Sequence, residues 1–276
     1  MKPTLERIFD GLAALLISTG ASSAADLHPI AEVQSGYLFG AISDGKWIKA
    51  GETAKLIGDE TTYRVYGLTQ ALGDAKGGKP KLGEGPCEGT FEVSLSPETE
   101  KGVIAIAAPW NALPRKPQVT DPTQKTCVDA VRDFLKTKGI EQPKVNIDSI
   151  LRVDLDGDGE EEVLISATNY LRKDDSVPMR SPAAGYMVLL RRVVAGKLQT
   201  QLIAGEFYPK AFSKAAQEEA RFDAPNAYKV IATLDLDGDG KMEVVIHSQY
   251  YEGEETTIHR CDLKKVEALL SVSCGA

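Results

Sequence analysis

The sequence has few of the residues and motifs that mark common enzymes. It contains only three histidines in 276 residues. It has no Gly-x-Ser-x-Gly elbow, no His-Glu-x-x-His motif and no glycine-rich phosphate loop. Its four cysteines are not spaced as zinc ligands are. The sequence therefore offers no catalytic residue, and we predict a protein that is not an enzyme.

Positive charge and long apolar runs are also scarce. The formal net charge is −8 at pH 7, and an acidic surface argues against nucleic acid or an anionic membrane as a partner. No apolar run after the N terminus approaches the roughly 20 residues that a membrane-spanning helix needs. We therefore predict no nucleic-acid partner and no membrane span in the mature chain.

The first 24 residues match a secretory signal peptide. Lys2 and Arg7 precede a short apolar stretch at 11–17, and small residues at 22–25 allow cleavage at the end of the segment. The alternative is an N-terminal membrane anchor, for which the apolar stretch is too short. We predict a periplasmic or secreted protein whose mature chain of about 250 residues forms one large or two small domains.

Four cysteines in an exported chain indicate two disulfides. If residues 264–265 form the tip of a terminal hairpin, Cys261 and Cys274 lie about 20 Å apart along its ladder. A disulfide requires Cα atoms within about 7 Å, so we expect these two cysteines to pair with Cys87 and Cys127. A longer loop at the tip would restore the local pairing, and four reduced, buried thiols are the remaining alternative.

Residues 25–120 are predicted to be rich in β-structure. The chain contains 25 glycines and few helix-forming runs, while its hydrophobic content of 42% suffices for a core. Asp44-Gly45 between apolar runs predicts a hairpin. Four runs rich in apolar, β-branched or aromatic residues predict strands: 37–42, 61–66, 90–95 and 103–106. The last two should pair, 72–86 should be a loop, and His28 should lie in a disordered start.

Residues 121–145 are predicted to combine a linker with one helix. The linker begins within 111–122, where three prolines indicate an extended connection. Thr126 and Asp129 then form a variant of the capping box. One apolar face predicts a helix near 126–138 that Gly139 ends, and its members are Val128, Val131, Phe134 and Leu135.

Two copies of one acidic loop follow in residues 146–276. The sequence Asp-Leu-Asp-Gly-Asp-Gly occupies 154–159 and again 235–240, at an offset of 81 residues (235 − 154). Carboxylates at alternate positions of a tight turn repel one another unless a cation lies between them. Oxygen ligands of this kind favour calcium over magnesium, which prefers to retain several waters. The spacing therefore predicts two calcium sites.

An EF-hand is the obvious alternative for these loops. It requires a bidentate Glu at loop position 12, where this chain has Ile165 and Ile246, and it requires flanking helices. The β-branched flanks instead predict a strand, the acidic loop, a strand and a further hairpin in each copy. That is a four-stranded antiparallel unit of the size of a propeller blade, lengthened by polar insertions at 173–184 and 209–226.

The loops resemble the Asp-x-Asp-x-Asp-Gly-x-x-Asp/Glu calcium loops of FG-GAP and VCBS-type repeats, the blades of integrin-α-like β-propellers in exported bacterial proteins. The resemblance covers residues 146–276 and implies a mainly β fold of blade-like units, in a full or partial propeller. It also implies the ligands of two Ca²⁺ ions, with main-chain carbonyls from Glu160 and Lys241. The side-chain ligands are Asp154, Asp156, Asp158 and Glu162 in one site, and Asp235, Asp237, Asp239 and Glu243 in the other.

We expect an exported calcium-binding protein that serves as a binding or structural module. Its partner would be an unknown protein or a carbohydrate, and the aromatic and acidic residues at 250–255 are a candidate contact surface. Tyrosines packed between blades are the alternative interpretation of that patch. The alternative function is a hydrolase or lyase of an extracellular polysaccharide or other polymer, with the calcium hairpins as scaffold. It would need a cleft with perturbed acids away from the loops.

Overall fold

The computed structural model describes residues 26–168, 184–209, 226–250 and 252–275. The predicted signal peptide lies outside these residues, as do most of the two polar insertions. The described chain is mainly β, with three large antiparallel sheets and one two-stranded ladder, which confirms the predicted class. None of its helices is long and apolar enough to cross a membrane.

The N-terminal part of the chain forms a seven-stranded sheet in the order β3-β2-β1-β9-β4-β5-β8, and β6 pairs with β7. The bounds are β1 (Leu27–Glu32), β2 (Leu38–Ser43), β3 (Lys46–Lys49), the short helix α1 (Ala50–Thr53), β4 (Thr61–Tyr66), β5 (Ala71–Gly77), β6 (Lys81–Leu82), β7 (Phe91–Glu92), β8 (Leu95–Ser96) and β9 (Ile104–Ile106). The predicted hairpin at Asp44-Gly45 joins β2 to β3, and both turn residues have positive φ, as a type I′ turn requires.

Three predictions for this region are wrong. The stretch 72–86 contributes strands β5 and β6, because pairing with neighbouring strands outweighs the low strand propensity of Gly and Lys. The predicted strand 90–95 is divided between two sheets, and β9 pairs with β1 and β4 instead. His28 lies in β1, buried, with its Nδ1 3.0 Å from the carbonyl oxygen of Ala107.

The second sheet has the order β10-β11-β12-β13-β14 and carries the first acidic loop between β11 and β12. The bounds are β10 (Gln118–Thr120), α2 (Lys125–Thr137), β11 (Ile147–Val153), β12 (Glu162–Thr168), β13 (Ala184–Val194) and β14 (Lys197–Tyr208). Helix α2 lies where the sequence predicts a helix and buries Cys127, Val131 and Leu135 against this sheet. The segment 111–122 is more than a linker, because it supplies β10, which pairs with β11.

The first turn of α2 differs from the predicted capping box. Gln124 is the N-cap residue and its side chain makes no capping hydrogen bond. Asp129 forms ion pairs with Lys125 and Arg132 instead, since both cations lie within one helical turn of it. Gly139 follows the helix with a φ of +83°, the conformation that favours glycine after a helix C terminus.

The third sheet repeats the arrangement of β11 to β14. Its strands are β15 (Ala227–Leu234), β16 (Glu243–Tyr250), β17 (Gly253–Cys261) and β18 (Val266–Gly275), in chain order, with the second acidic loop between β15 and β16. Each copy is thus a strand, an acidic loop, a strand and a further hairpin, as the sequence predicts. The strands that flank both loops rule out the EF-hand alternative.

One apolar core joins all three sheets. It contains buried side chains from the N-terminal sheet and from both repeats, among them Phe39, Leu151, Leu190, Leu234 and Ile258. Burial of each such side chain contributes about 1.5–3 kcal/mol to stability. Smaller clusters lie beneath α2 and on the opposite face of the N-terminal sheet. Because the repeats share a core, their acidic loops are held in a fixed relation to each other.

A disulfide joins Cys87 to Cys274 across 187 residues of sequence. The predicted link from Cys274 to the first half of the chain is therefore confirmed. The predicted second bridge is wrong, because Cys127 lies on the buried face of α2 and Cys261 lies in β17, and both are free. The β17–β18 turn at 262–265 still places Cys261 and Cys274 at opposite ends of one ladder. Burial raises the pKa of Cys261 to about 12, which leaves little reactive thiolate.

Candidate metal centres

The first acidic loop is a tight turn whose backbone folds around the carboxylate of Asp154. That carboxylate accepts hydrogen bonds from the amides of Gly157 at 2.6 Å and Gly159 at 3.1 Å. Both glycines have positive φ, +81° and +89°, a conformation that side-chain-bearing residues rarely adopt. Asp156 and Asp158 each accept a bond from the amide two residues further on. The turn therefore arranges its own acidic side chains.

The second loop repeats these hydrogen bonds. The amide of Gly240 donates to Asp235 at 3.1 Å, the distance found for the matching pair in the first loop. The amide of Asp239 donates to Asp237 at 3.3 Å, and that of Lys241 donates to Asp239 at 2.7 Å. The 81-residue repeat in sequence is thus also a repeat in geometry.

A buried glutamate from the following strand closes each loop. Glu162 accepts a hydrogen bond from the amide of Leu155 at 2.8 Å, and Glu243 accepts one from the amide of Leu236 at 3.0 Å. The two glutamates are only 5% and 1% exposed. The two leucines are themselves buried in the shared core, and this anchors each turn over its glutamate.

Carboxylate oxygens converge in both loops. In each loop three of them lie within 4.8 Å of one another: those of Asp154, Asp156 and Glu162 in the first, and those of Asp235, Asp237 and Asp239 in the second. Asp158 and Glu243 belong to the same turns but not to these close clusters. Glu160 and Lys241, expected to offer main-chain carbonyls, have exposed side chains at the same turns. The structure thus brings together three of the four predicted carboxylates in each loop.

Without a cation, the carboxylates lie in an unfavourable environment. Burial raises the pKa of Glu243 to about 8, and repulsion from Asp237 adds to the effect. Burial also raises the pKa values of Glu162, Asp235 and Asp237. The Oδ1 atom of Asp235 is buried and makes no hydrogen bond of good geometry to the described residues, although the Gly238 amide still lowers the pKa of that carboxyl group. Such an atom costs about 1–3 kcal/mol, and a bound cation would satisfy it.

A guanidinium distinguishes the second loop from the first. Arg260 on β17 forms an ion pair with Asp237, and its Nε lies 3.6 Å from Glu243 Oε1. Arg192 occupies the same ladder position in the first repeat. It donates instead to two carbonyl oxygens at the tip of the β17–β18 hairpin. The second loop is therefore partly neutralised by its own sheet, whereas the first is not.

Arg115 joins the two loops. It donates hydrogen bonds to the carbonyl oxygens of Asp154 at 2.5 Å and Leu155 at 3.2 Å in the first loop. It also donates to the carbonyl oxygen of Gly240 at 2.7 Å in the second. A backbone hydrogen bond of 2.8 Å from Met242 to Leu155 runs beside it. The two candidate centres are thus neighbours that share one bridging cation.

Trp110 and Ala112, from the same segment as Arg115, hold the second loop. The Trp110 indole donates to the carbonyl oxygen of Asp235 at 2.9 Å, and the amide of Asp235 donates to the carbonyl oxygen of Ala112 at 2.8 Å. A Cβ atom at Gly238 would lie 3.1 Å from the indole ring, so the ring covers the turn closely. Sequence reasoning missed these residues. The signal available was an Arg within the stretch 111–122, predicted to be a linker, and a Trp directly before it.

No protein-family model, curated protein or solved structure matches this chain. What the loops can do chemically follows from their own ligand sets. Each loop offers carboxylate and carbonyl oxygens and neither nitrogen nor sulfur, which suits calcium and argues against zinc.

Proposed function

We propose that this chain is an exported calcium-binding protein in which two ions order two neighbouring turns. The observation that carries the proposal is the duplicated geometry. Two turns of equal sequence have matching hydrogen bonds, and each gathers one buried, one half-buried and one exposed carboxylate at one point. The unpartnered Oδ1 of Asp235 is a second, independent support, since turn formation alone does not require it.

In the proposed sites, calcium replaces mutual repulsion between carboxylates with attraction to the ion. The ligands are the predicted ones: Asp154, Asp156, Asp158, Glu162 and the Glu160 carbonyl, and Asp235, Asp237, Asp239, Glu243 and the Lys241 carbonyl. Because the unfolded chain lacks a formed site, the free energy of binding adds to that of folding. Extracellular modules commonly bind calcium at about 10⁻⁴ to 10⁻³ M, a range that suits structural occupancy.

The resemblance to FG-GAP and VCBS-type repeats supports the same proposal. A loop between the first two strands of a four-stranded unit matches the blade pattern, so a full or partial propeller is part of the proposal. Export is supported by the signal-like N terminus and by the disulfide, a bond that persists in oxidising compartments. The role of the protein would be that of a binding or structural module for a protein or carbohydrate partner.

The hydrolase or lyase hypothesis gains no comparable support. It requires acids of perturbed pKa in a cleft away from the loops. Among the described residues, the carboxyl groups whose pKa burial raises all belong to the loops: Glu162, Asp235, Asp237 and Glu243. Burial and mutual repulsion raise carboxylate pKa values wherever acids are gathered to hold a cation, so these shifts fit the proposed calcium sites.

Calorimetric titration of calcium into the EDTA-stripped mature protein tests the proposal. We expect two binding events, of which Asp156→Ala removes one and Asp237→Ala the other. Asp133→Ala removes an exposed carboxylate on α2 and serves as the matched control, which should keep both events. No heat and no rise in melting temperature at millimolar calcium would overturn the proposal.

A further inference from the structure

A cavity of about 470 Å³ opens between the N-terminal sheet and the second repeat, and no residue of the acidic loops lines it. Its walls come from β1 and the turn after it, from the residues directly before β9 and from the third sheet. Its lining residues include Glu32, Val103, Ile231, His247 and Glu254. A second cavity of about 720 Å³ adjoins the first at Gln34 and Ser35.

A chain of hydrogen bonds fixes the ring of His247 at the wall of the first cavity. Glu32, only 9% exposed, accepts hydrogen bonds from Ser35 Oγ at 2.5 Å and Thr256 Oγ1 at 2.9 Å. The Thr256 hydroxyl has one hydrogen and gives it to Glu32, so it can only accept from His247 Nδ1, 3.0 Å away. In the neutral ring, the network therefore places the proton on Nδ1 and leaves the lone pair on Nε2.

The free Nε2 of His247 faces a second acceptor. It lies 3.8 Å from Glu254 Oε2, and no described residue donates a hydrogen bond to it. When the ring is neutral these are two acceptors, and a donor placed between them would satisfy both. The backbone of Glu254 is well defined, because it lies opposite Cys274 in the β17–β18 ladder and the disulfide fixes Cys274 to the first half of the chain.

Negative charge dominates both cavities. Five glutamates line them, and no lysine or arginine is among their described lining residues: the five are Glu32, Glu92, Glu98, Glu100 and Glu254. Burial raises the pKa of the nearby Tyr37, and three of these carboxylates raise it further, which shows that their fields overlap. Such a lining attracts cations and repels phosphates and carboxylates.

We propose that the first cavity binds a primary alkyl-ammonium group, held between His247 Nε2 and Glu254. An ammonium carries three donors and no acceptor, so it can satisfy both atoms at once. Val103 and Ile231 supply an apolar wall for the alkyl chain that follows the nitrogen. A free aliphatic amine and the lysine side chain of a partner protein both present this group.

Calorimetric titration of the mature protein in millimolar calcium, which keeps the acidic loops occupied, tests the proposal. The probes are cadaverine, a free diamine, and N-acetyl-lysine methylamide, which presents only a side-chain ammonium. We expect binding that Glu254→Gln weakens by about tenfold, the usual effect of losing a charge-assisted hydrogen bond. Glu141→Gln, at an exposed site outside both cavities, should leave it unchanged. Binding of either probe supports the proposal. The probe that binds more tightly shows whether the site favours a free amine or a lysine side chain.

A second variant tests the hydrogen-bond chain without changing a charge. Thr256→Val keeps the volume of the side chain and removes the hydroxyl between Glu32 and His247. Nitrogen NMR shifts of the His247 ring should show the proton on Nδ1 in the parent protein, and this preference should be lost in the variant. A proton on Nε2 in the parent, or equal cadaverine affinity in Glu254→Gln and Glu141→Gln, would overturn the proposal. So would the absence of cadaverine binding in protein that binds calcium normally, an outcome that leaves the calcium proposal intact.

Discussion

Replacement of Arg115 by methionine removes the only side chain seen to donate hydrogen bonds to both acidic loops in the described structure. The variant keeps a long, flexible side chain and loses the guanidinium. Three hydrogen bonds disappear, to the carbonyl oxygens of Asp154, Leu155 and Gly240. We expect two effects, a less stable protein and a weaker thermodynamic link between the two proposed calcium sites.

The magnitudes follow from the exposure of the Arg115 side chain, which is 25%. A hydrogen bond from a charged donor contributes about 1.5–3 kcal/mol, and partial exposure reduces this to about 1 kcal/mol per bond. The free energy of unfolding should therefore fall by about 2–3 kcal/mol. Only the hydrogen bond to Gly240 connects Arg115 to the second loop. The coupling free energy between calcium binding at the two loops should therefore be about 1 kcal/mol, or about fivefold in calcium affinity. The substitution leaves in place the backbone hydrogen bond from Met242 to Leu155, which carries any coupling that remains.

A double-mutant cycle of calcium titrations measures the coupling. The affinity of the second loop is compared with and without Asp156→Ala, in the parent and in Arg115→Met. We expect Asp156→Ala to weaken the second loop by about fivefold in the parent and by much less in Arg115→Met. The cycle cancels the direct effect of the lost positive charge on the calcium affinity of the second loop. Arg115→Lys keeps the charge but removes the planar guanidinium, so it separates the contribution of charge from that of the hydrogen-bond geometry. Equal weakening in both backgrounds would refute the reasoning.

Three further predictions concern stability and affinity. Glu243 binds its proton more tightly in the folded protein, since its pKa is raised from 4.5 to about 8. The melting temperature of EDTA-treated protein should therefore fall as pH rises through that window, and calorimetry should show this fall abolished by calcium or by Glu243→Gln. Arg260→Leu removes a competing cation from the second loop, so titration should show a several-fold gain in calcium affinity there and none at the first loop. Cys87→Ser opens a covalent loop of 187 residues and should lower the free energy of unfolding by up to about 5 kcal/mol; equal denaturant midpoints for the two proteins would contradict this.

Features with a local signal could be predicted from the sequence. The spacing of carboxylates and glycines fixes the turn at each acidic loop, and the β-branched flanks favour strands on both sides. The Asp44-Gly45 hairpin and the helix over 125–137 are of the same kind, because turn chemistry and apolar periodicity act within a few residues. The repeat added a further constraint, since two equal signals 81 residues apart are improbable by chance.

Features that depend on distant partners could not be predicted. Arg115 and Trp110 bond to residues between 39 and 125 positions away, from a segment without apolar periodicity. The run 90–95 carries a clear strand pattern, yet its division between two sheets is decided by neighbours far along the chain. The pairing of four cysteines was predicted on the assumption that all are oxidised, and no local property distinguishes Cys127 from Cys87.

The disulfide has a mechanical consequence for the parts of the chain between its ends. Both acidic loops lie between Cys87 and Cys274, so a pulling force applied outside these residues travels through the sulfur atoms and bypasses the repeats. Reduction would remove the bypass and expose the hairpins to the full load. The enclosed 187 residues could then extend by roughly 600 Å of contour length. The oxidation state of these two cysteines thus decides whether the repeats carry tension or are shielded from it.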